Sequence, residues 1–266
     1  VAKAHIGDLE MAYDVQGVGE PLILIGGFTM TKEAWEDQVR ALRTRFRVIT
    51  MDNRGVGETT LPGAPFTIDD MARDTVGLLD ALGVEAAHVF GVSMGGLIAQ
   101  ILLLDHPQRV KKAALGCTTH GGRHAVAPSA EVMSVLAQAA DPALTPEEAY
   151  TRRAPVIFAP EFIRGDPQRY ETVKRRALGH WPSPQGVALQ FKALSVFNSK
   201  RRLGEIRHPV LVITGDEDRM MPPENSRLLA EGIAGAELYL VRSAGHMFFA
   251  EKPGEVNDRL TRFFQE

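Results

Sequence analysis

Short apolar runs alternate with helical patterns along most of this chain, and that alternation limits the possible folds more than any other feature. The runs are Leu22–Ile25, Arg47–Met51, His88–Phe90, Lys112–Leu115, Val210–Thr214 and Leu238–Val241, most of them rich in β-branched residues. They lack the polar alternation of a sheet with one wet face, so they read as parallel strands buried on both sides. Between them, Lys32–Arg45 carries Trp35, Val39 and Leu42 at helical spacing, a single apolar stripe. Thr67–Leu82 opens with acids in its first turn and stops at Gly83, the signature of a helix with both ends marked. Met94–Leu104 is apolar enough for a buried helix and is halted by Asp105-His-Pro107. Pro253–Phe264 places Val256, Leu260, Phe263 and Phe264 on one side. The pattern predicts an α/β fold, a mostly parallel central sheet with helices on both faces. Ala4–Gln16 alternates weakly, which suits an antiparallel strand or hairpin leading in.

The rhythm fails once. From Gly121 to Leu203 there is no convincing buried strand, but there are helical stretches and many prolines. This predicts a core of residues 1–120 and 204–266 with a mainly helical insertion, 121–203, between two strands. A composition of 44% hydrophobic and 24% charged residues suits a folded globular domain. The net charge of −3 gives no bulk attraction to nucleic acid or an anionic membrane. The basic blocks Arg40–Arg47 and Lys174–Arg176 read as solvated helix faces. Cys117, the only cysteine, excludes an intrachain disulfide and reads as a buried strand thiol. Val1–Asp8 has no apolar signal-type core, and no apolar run approaches the ~18 residues of a membrane span, so a cytoplasmic protein is expected.

The strongest chemical signal is Gly91-Val-Ser93-Met-Gly95, directly after one expected strand and before one expected helix. A serine on so sharp a strand-to-helix turn needs small neighbours, because the turn brings its flanks together. Its hydroxyl is then exposed at the sheet edge, over the positive end of the helix. A serine also needs a base. His246, in Ser243-Ala-Gly-His246, follows the last expected strand and so shares the edge with Ser93. The base needs a carboxylate to fix its tautomer. Asp218 ends Gly215-Asp-Glu-Asp218 after another expected strand, with Asp216 and Glu217 as turn residues beside it; the preceding strand is followed by Gly116-Cys-Thr-Thr-His, which offers no carboxylate.

The order Ser93, Asp218, His246 resembles that of the α/β-hydrolase fold superfamily, and the chain is similar to its single-domain carboxylesterases and enol-lactonases. Pro21–Phe28 is similar to the family's oxyanion loop and Met51-Asp-Asn-Arg-Gly-Val-Gly57 to its Asp-x-Arg-Gly-x-Gly turn. The resemblance implies the α/β-hydrolase fold with residues 121–203 as a helical cap over the pocket. It also implies oxyanion-hole donors in the backbone N–H groups of Met94 and Phe28. One departure stands out: relatives carry His-Gly in that loop where this chain has Gly26-Gly27.

The expected chemistry is hydrolysis of a small, mainly apolar ester or lactone through an acyl-enzyme, with no cofactor. Trp35, Trp181, Met220, Met247 and Phe248 are candidates for the pocket lining. Enol-lactone hydrolysis would call for a cation from Arg123, Arg152, Arg153 or Arg164. Carbon–carbon bond hydrolysis, perhydrolysis and non-catalytic binding of a small molecule remain alternatives on the same scaffold. Serine in place of an aspartate nucleophile argues against dehalogenase and epoxide-hydrolase chemistry. No metal site is expected: His120 and His124 are separated by Gly121-Gly122, which breaks any shared helical face.

Overall fold

The computed structural model describes all residues, Val1–Glu266. Eight strands form one sheet: β1 (Ala2–Ile6), β2 (Leu9–Gln16), β3 (Glu20–Ile25), β4 (Phe46–Met51), β5 (Ala87–Val92), β6 (Val110–Gly116), β7 (Val210–Gly215) and β8 (Glu237–Val241). Their order is β1-β2-β4-β3-β5-β6-β7-β8. β1 and β2 form the antiparallel hairpin, β2 joins β4 antiparallel, and every later pairing is parallel. The central strands β5 and β7 are buried at every residue, which is why their sequences show no alternation.

Helices cover both faces. The Lys32–Arg45 pattern divides into a 3₁₀ turn, Lys32–Trp35, and α1 (Glu36–Leu42). α2 (Ile68–Ala81) is started by Thr67, whose hydroxyl accepts the Asp70 N–H while the Asp70 carboxylate accepts the Thr67 N–H. α3 (Met94–Asp105) runs behind the sheet, buried along ten of its residues. One apolar layer joins α2 and α3 to Ile23, Ile49 and Val89; the other joins Trp35, Leu42 and Phe249 to Leu24, Phe90 and Leu211.

Between β6 and β7 the chain makes α4 (Ala130–Ala139), α5 (Pro146–Ile157), α6 (Pro160–Gly165), α7 (Pro167–Gly179) and α8 (Pro184–Ser195). Pro146, Pro160, Pro167 and Pro184 each open a helix. There the missing N–H costs nothing, because the first turn leaves it unpaired anyway. α9 (Pro223–Gly232), α10 (Phe248–Glu251) and α11 (Pro253–Gln265) complete the chain. No helix is long and apolar enough to cross a membrane.

Candidate active site

Ser93 lies between β5 and α3 with φ 54° and ψ −118°, a conformation that strains a residue with a side chain. Its neighbours explain the glycines. A methyl group on Gly91 would meet the Gly95 carbonyl oxygen at 2.2 Å, and one on Gly95 would meet that of Ile25 at 2.1 Å. The turn is held by Ser93 N–H donating to the Gly116 carbonyl at 2.8 Å and by the Thr118 hydroxyl donating to the Ser93 carbonyl at 2.7 Å. Ser93 keeps partial exposure.

Asp218 and His246 meet at the same edge. His246 Nδ1 lies 2.7 Å from Asp218 Oδ2, and both residues are buried. The other Asp218 oxygen accepts the N–H groups of Met220 and Met221 at 2.9 and 2.7 Å, which fixes the carboxylate's rotation. Asp216 instead faces Arg242 and Glu217 is exposed. Burial opposes the imidazolium, but the Asp218 charge, with a smaller contribution from Cys117, outweighs it and holds His246 well above its ordinary 6.5. The Asp218 and His246 loops are in direct contact, since a methyl group on Gly215 would strike the Ala244 and Gly245 carbonyls at 2.1 and 2.3 Å.

Cys117 lies one residue beyond β6, with φ 38°, so the expectation of a strand thiol is corrected in position though not in burial. The ligating atoms of Cys117, Asp218 and His246 all lie within 4.8 Å of one another. Burial pushes the thiol up, so it sits as a neutral group beside the imidazole. These three form the one cluster with metal-ligating potential, and it draws on the Asp218–His246 pair itself. His120 is buried with Nδ1 against the Gly121 carbonyl, and the exposed His124 faces Arg123.

The Gly26-Gly27 loop is braced by groups that the sequence did not mark. Asn53 Nδ2 donates to the Gly26 carbonyl at 3.0 Å. Met30 Sδ accepts the Gly27 N–H at 3.2 Å. Gln190 of α8, fully buried, accepts the Thr29 N–H at 2.9 Å and donates to the Arg54 carbonyl at 3.0 Å. With Gly27 and Thr29 engaged, the Phe28 N–H has no protein partner, nor has that of Gly26 at the loop's start. The Met94 N–H is also free.

The insertion touches the His246 loop too. The Ile157 carbonyl accepts the His246 N–H at 2.7 Å. The buried Glu251 carboxylate accepts the N–H groups of Gly245 and Ala159 at 3.1 Å, and burial pushes Glu251 up to about 7 against those two donors. Of the expected pocket residues, Trp181, Met220 and Met247 are half-buried. Trp35 and Phe248 are fully buried, Trp35 between Phe90 and Phe249 and Phe248 against Phe249. Their rings belong to the core.

Residues 20–253 match the family model described as the alpha/beta hydrolase fold. A protein of Azorhizobium caulinodans, provisionally named carbamate hydrolase RutD, is 33% identical over 99% of this chain and 98% of its own length. Among solved structures, the enol-lactonase from Burkholderia xenovorans LB400 superposes with a TM-score of 0.87 at 25% identity, covering both chains completely. A thermophilic esterase from Thermogutta terrifontis gives 0.84 at 26% identity, over 100% of this chain and 98% of that one.

Proposed function

The chain belongs to the α/β-hydrolase fold family, and on that premise we propose that it is a serine hydrolase cleaving carboxylic esters by two-step acyl transfer. The observation that carries this reading is the buried 2.7 Å contact of Asp218 with His246 at the edge where Ser93 projects. In the first step His246 takes the Ser93 proton as the hydroxyl oxygen attacks the ester carbonyl. Asp218 holds the imidazole in the tautomer that leaves Nε2 free to accept, and it stabilises the imidazolium. The free N–H groups of Met94 and Phe28 receive the oxyanion, each contributing about 3–4 kcal/mol to the barrier reduction. His246 then gives its proton to the leaving alkoxide, and water repeats the sequence on the acyl-enzyme. The α4–α8 insertion serves as the cap, and Trp181, Met220 and Met247 as apolar lining.

A panel of p-nitrophenyl esters and lactones, with a carbamate arm suggested by the relative's name, tests the proposal against Ser93→Ala. Ser93-dependent turnover of esters is the expected result. Turnover of the carbamate alone would replace ester by carbamate hydrolysis. Saturable binding without any turnover would favour a receptor. Fluorophosphonate labelling of Ser93 should be lost in His246→Ala; labelling that persists would remove His246 as base.

A further inference from the structure

Arg153 is a cation enclosed without an anion. Its guanidinium carbon lies 5.4 Å from the centroid of the Tyr150 ring and 5.0 Å from that of Trp181. Its Nε is buried with no hydrogen-bond partner, and so is the Tyr150 hydroxyl. Burial pulls the guanidinium below its ordinary range, and the sole neighbour acting against that is Tyr150. Burial also pushes the Tyr150 phenol up, so it is a neutral O–H donor. Two adjacent donors thus lack any acceptor, an arrangement that proteins avoid unless something else supplies one. Lys32, Arg54 and Arg176, by contrast, are paired with Asp52, Asp74 and Asp37. Of the four candidate arginines for a substrate anion, Arg123, Arg152 and Arg164 are exposed and Arg153 is half-buried.

Its place in the fold gives the orphaned charge a use. Arg153 precedes Ile157 by one turn on the same face of α5, about 6 Å along the axis, and Ile157 holds the His246 backbone. Ile157, Trp181, Met30 and Met247 pack against one apolar cluster, and Met30 reaches the Gly27 N–H beside Ser93. We propose that Arg153, with Tyr150 and Trp181, is an anion subsite that selects esters whose acyl chain ends in a carboxylate. The subsite deepens the esterase reading and rests on it. A carboxylate there would take the forked N–H groups of Arg153 and the Tyr150 O–H, exchanging an unpaired half-buried cation for a charge-assisted pair.

The test compares mono-p-nitrophenyl esters of succinic, glutaric, adipic and pimelic acids with methyl-terminated acyl esters of equal length, each corrected for uncatalysed hydrolysis. Wild type should favour at least one carboxylated ester in kcat/KM. Arg153→Met should lower that ratio by roughly 10- to 100-fold, mainly through KM, and Arg153→Lys should restore part of it. A ratio that is the same in wild type and Arg153→Met across the series overturns the subsite while leaving the esterase reading intact. Binding of adipate to Ser93→Ala, followed by calorimetry, needs no turnover. Saturable binding lost on adding Arg153→Met or Arg153→Gln supports the subsite even where no ester is cleaved, and absence of binding argues against it. Circular dichroism melts establish that each variant is folded.

Discussion

The Ile157 carbonyl accepts the His246 N–H at 2.7 Å, so the last turn of α5 holds the backbone of the residue whose ring Asp218 orients. The proposed base is therefore fixed from two directions, by a carboxylate from the core and by a carbonyl from the helical insertion.

The Asp218 contact sets the pH profile. Since Asp218 holds His246 well above 6.5, and the base must be neutral to act, kcat/KM should fall as pH drops through that raised value. The acid limb is expected to have its midpoint above 6.5, read from the pH dependence of ester hydrolysis. Asp218→Asn should move the limb to lower pH and reduce kcat by about 10³- to 10⁴-fold. An unchanged limb would mean that Asp218 does not set the His246 charge.

Gln190 should matter for rate more than for affinity. Gln190→Leu leaves the Thr29 N–H and the Arg54 carbonyl unpaired and frees the loop that carries the Phe28 donor. A fall in kcat of about 10-fold is expected, with KM nearly unchanged. Steady-state kinetics at saturating ester, set beside the thermal midpoint, separates this from simple destabilisation.

Glu251 links pH to stability. Its folded value of about 7 lies above the ordinary 4.5, so the folded state holds this proton more tightly than the unfolded chain does. That contribution is full below 4.5 and is lost as pH rises through about 7; it is on the order of 3 kcal/mol. Glu251→Gln should remove this slope. The unfolding free energy of wild type minus that of the variant, measured in urea, should fall between about pH 5 and about pH 8.5.

Cys117 should be chemically silent until the chain unfolds. It is fully buried and its thiol is pushed up, so iodoacetamide should leave the native protein unmodified and label it in urea. Mass spectrometry reads the difference directly. Labelling of the native protein at neutral pH would show that the edge beneath His246 opens.

Much of the frame was legible because strands buried on both faces and helices with marked ends leave local signatures. Thr67 and Gly83 bound α2 as their chemistry requires, and Gly91 and Gly95 flank Ser93 for a steric reason visible in the motif itself. The spacing of Trp35, Val39 and Leu42 predicts a helix, and all three side chains are buried. Periodicity could not show that Trp35 ends a 3₁₀ turn, nor that its ring lies between Phe90 and Phe249. The braces were invisible for a different reason. Gln190 and Thr29 are 161 positions apart, and Ala159 and Glu251 are 92 apart, so no local pattern records either pair. Arg153 was one of four equivalent arginines until burial separated it from the others.

The hydrogen bonds that Gln190 accepts from Thr29 and Ile157 accepts from His246 also bear on how such a protein can diverge. An insertion joined to the core only at its two ends could be exchanged for another of different specificity with little effect on rate. Here α5 and α8 each supply a hydrogen bond to a loop of the proposed catalytic apparatus. A transplanted insertion would therefore have to bring its own counterparts of Gln190 and Ile157, and selectivity and turnover are expected to change together in chimaeras that omit them.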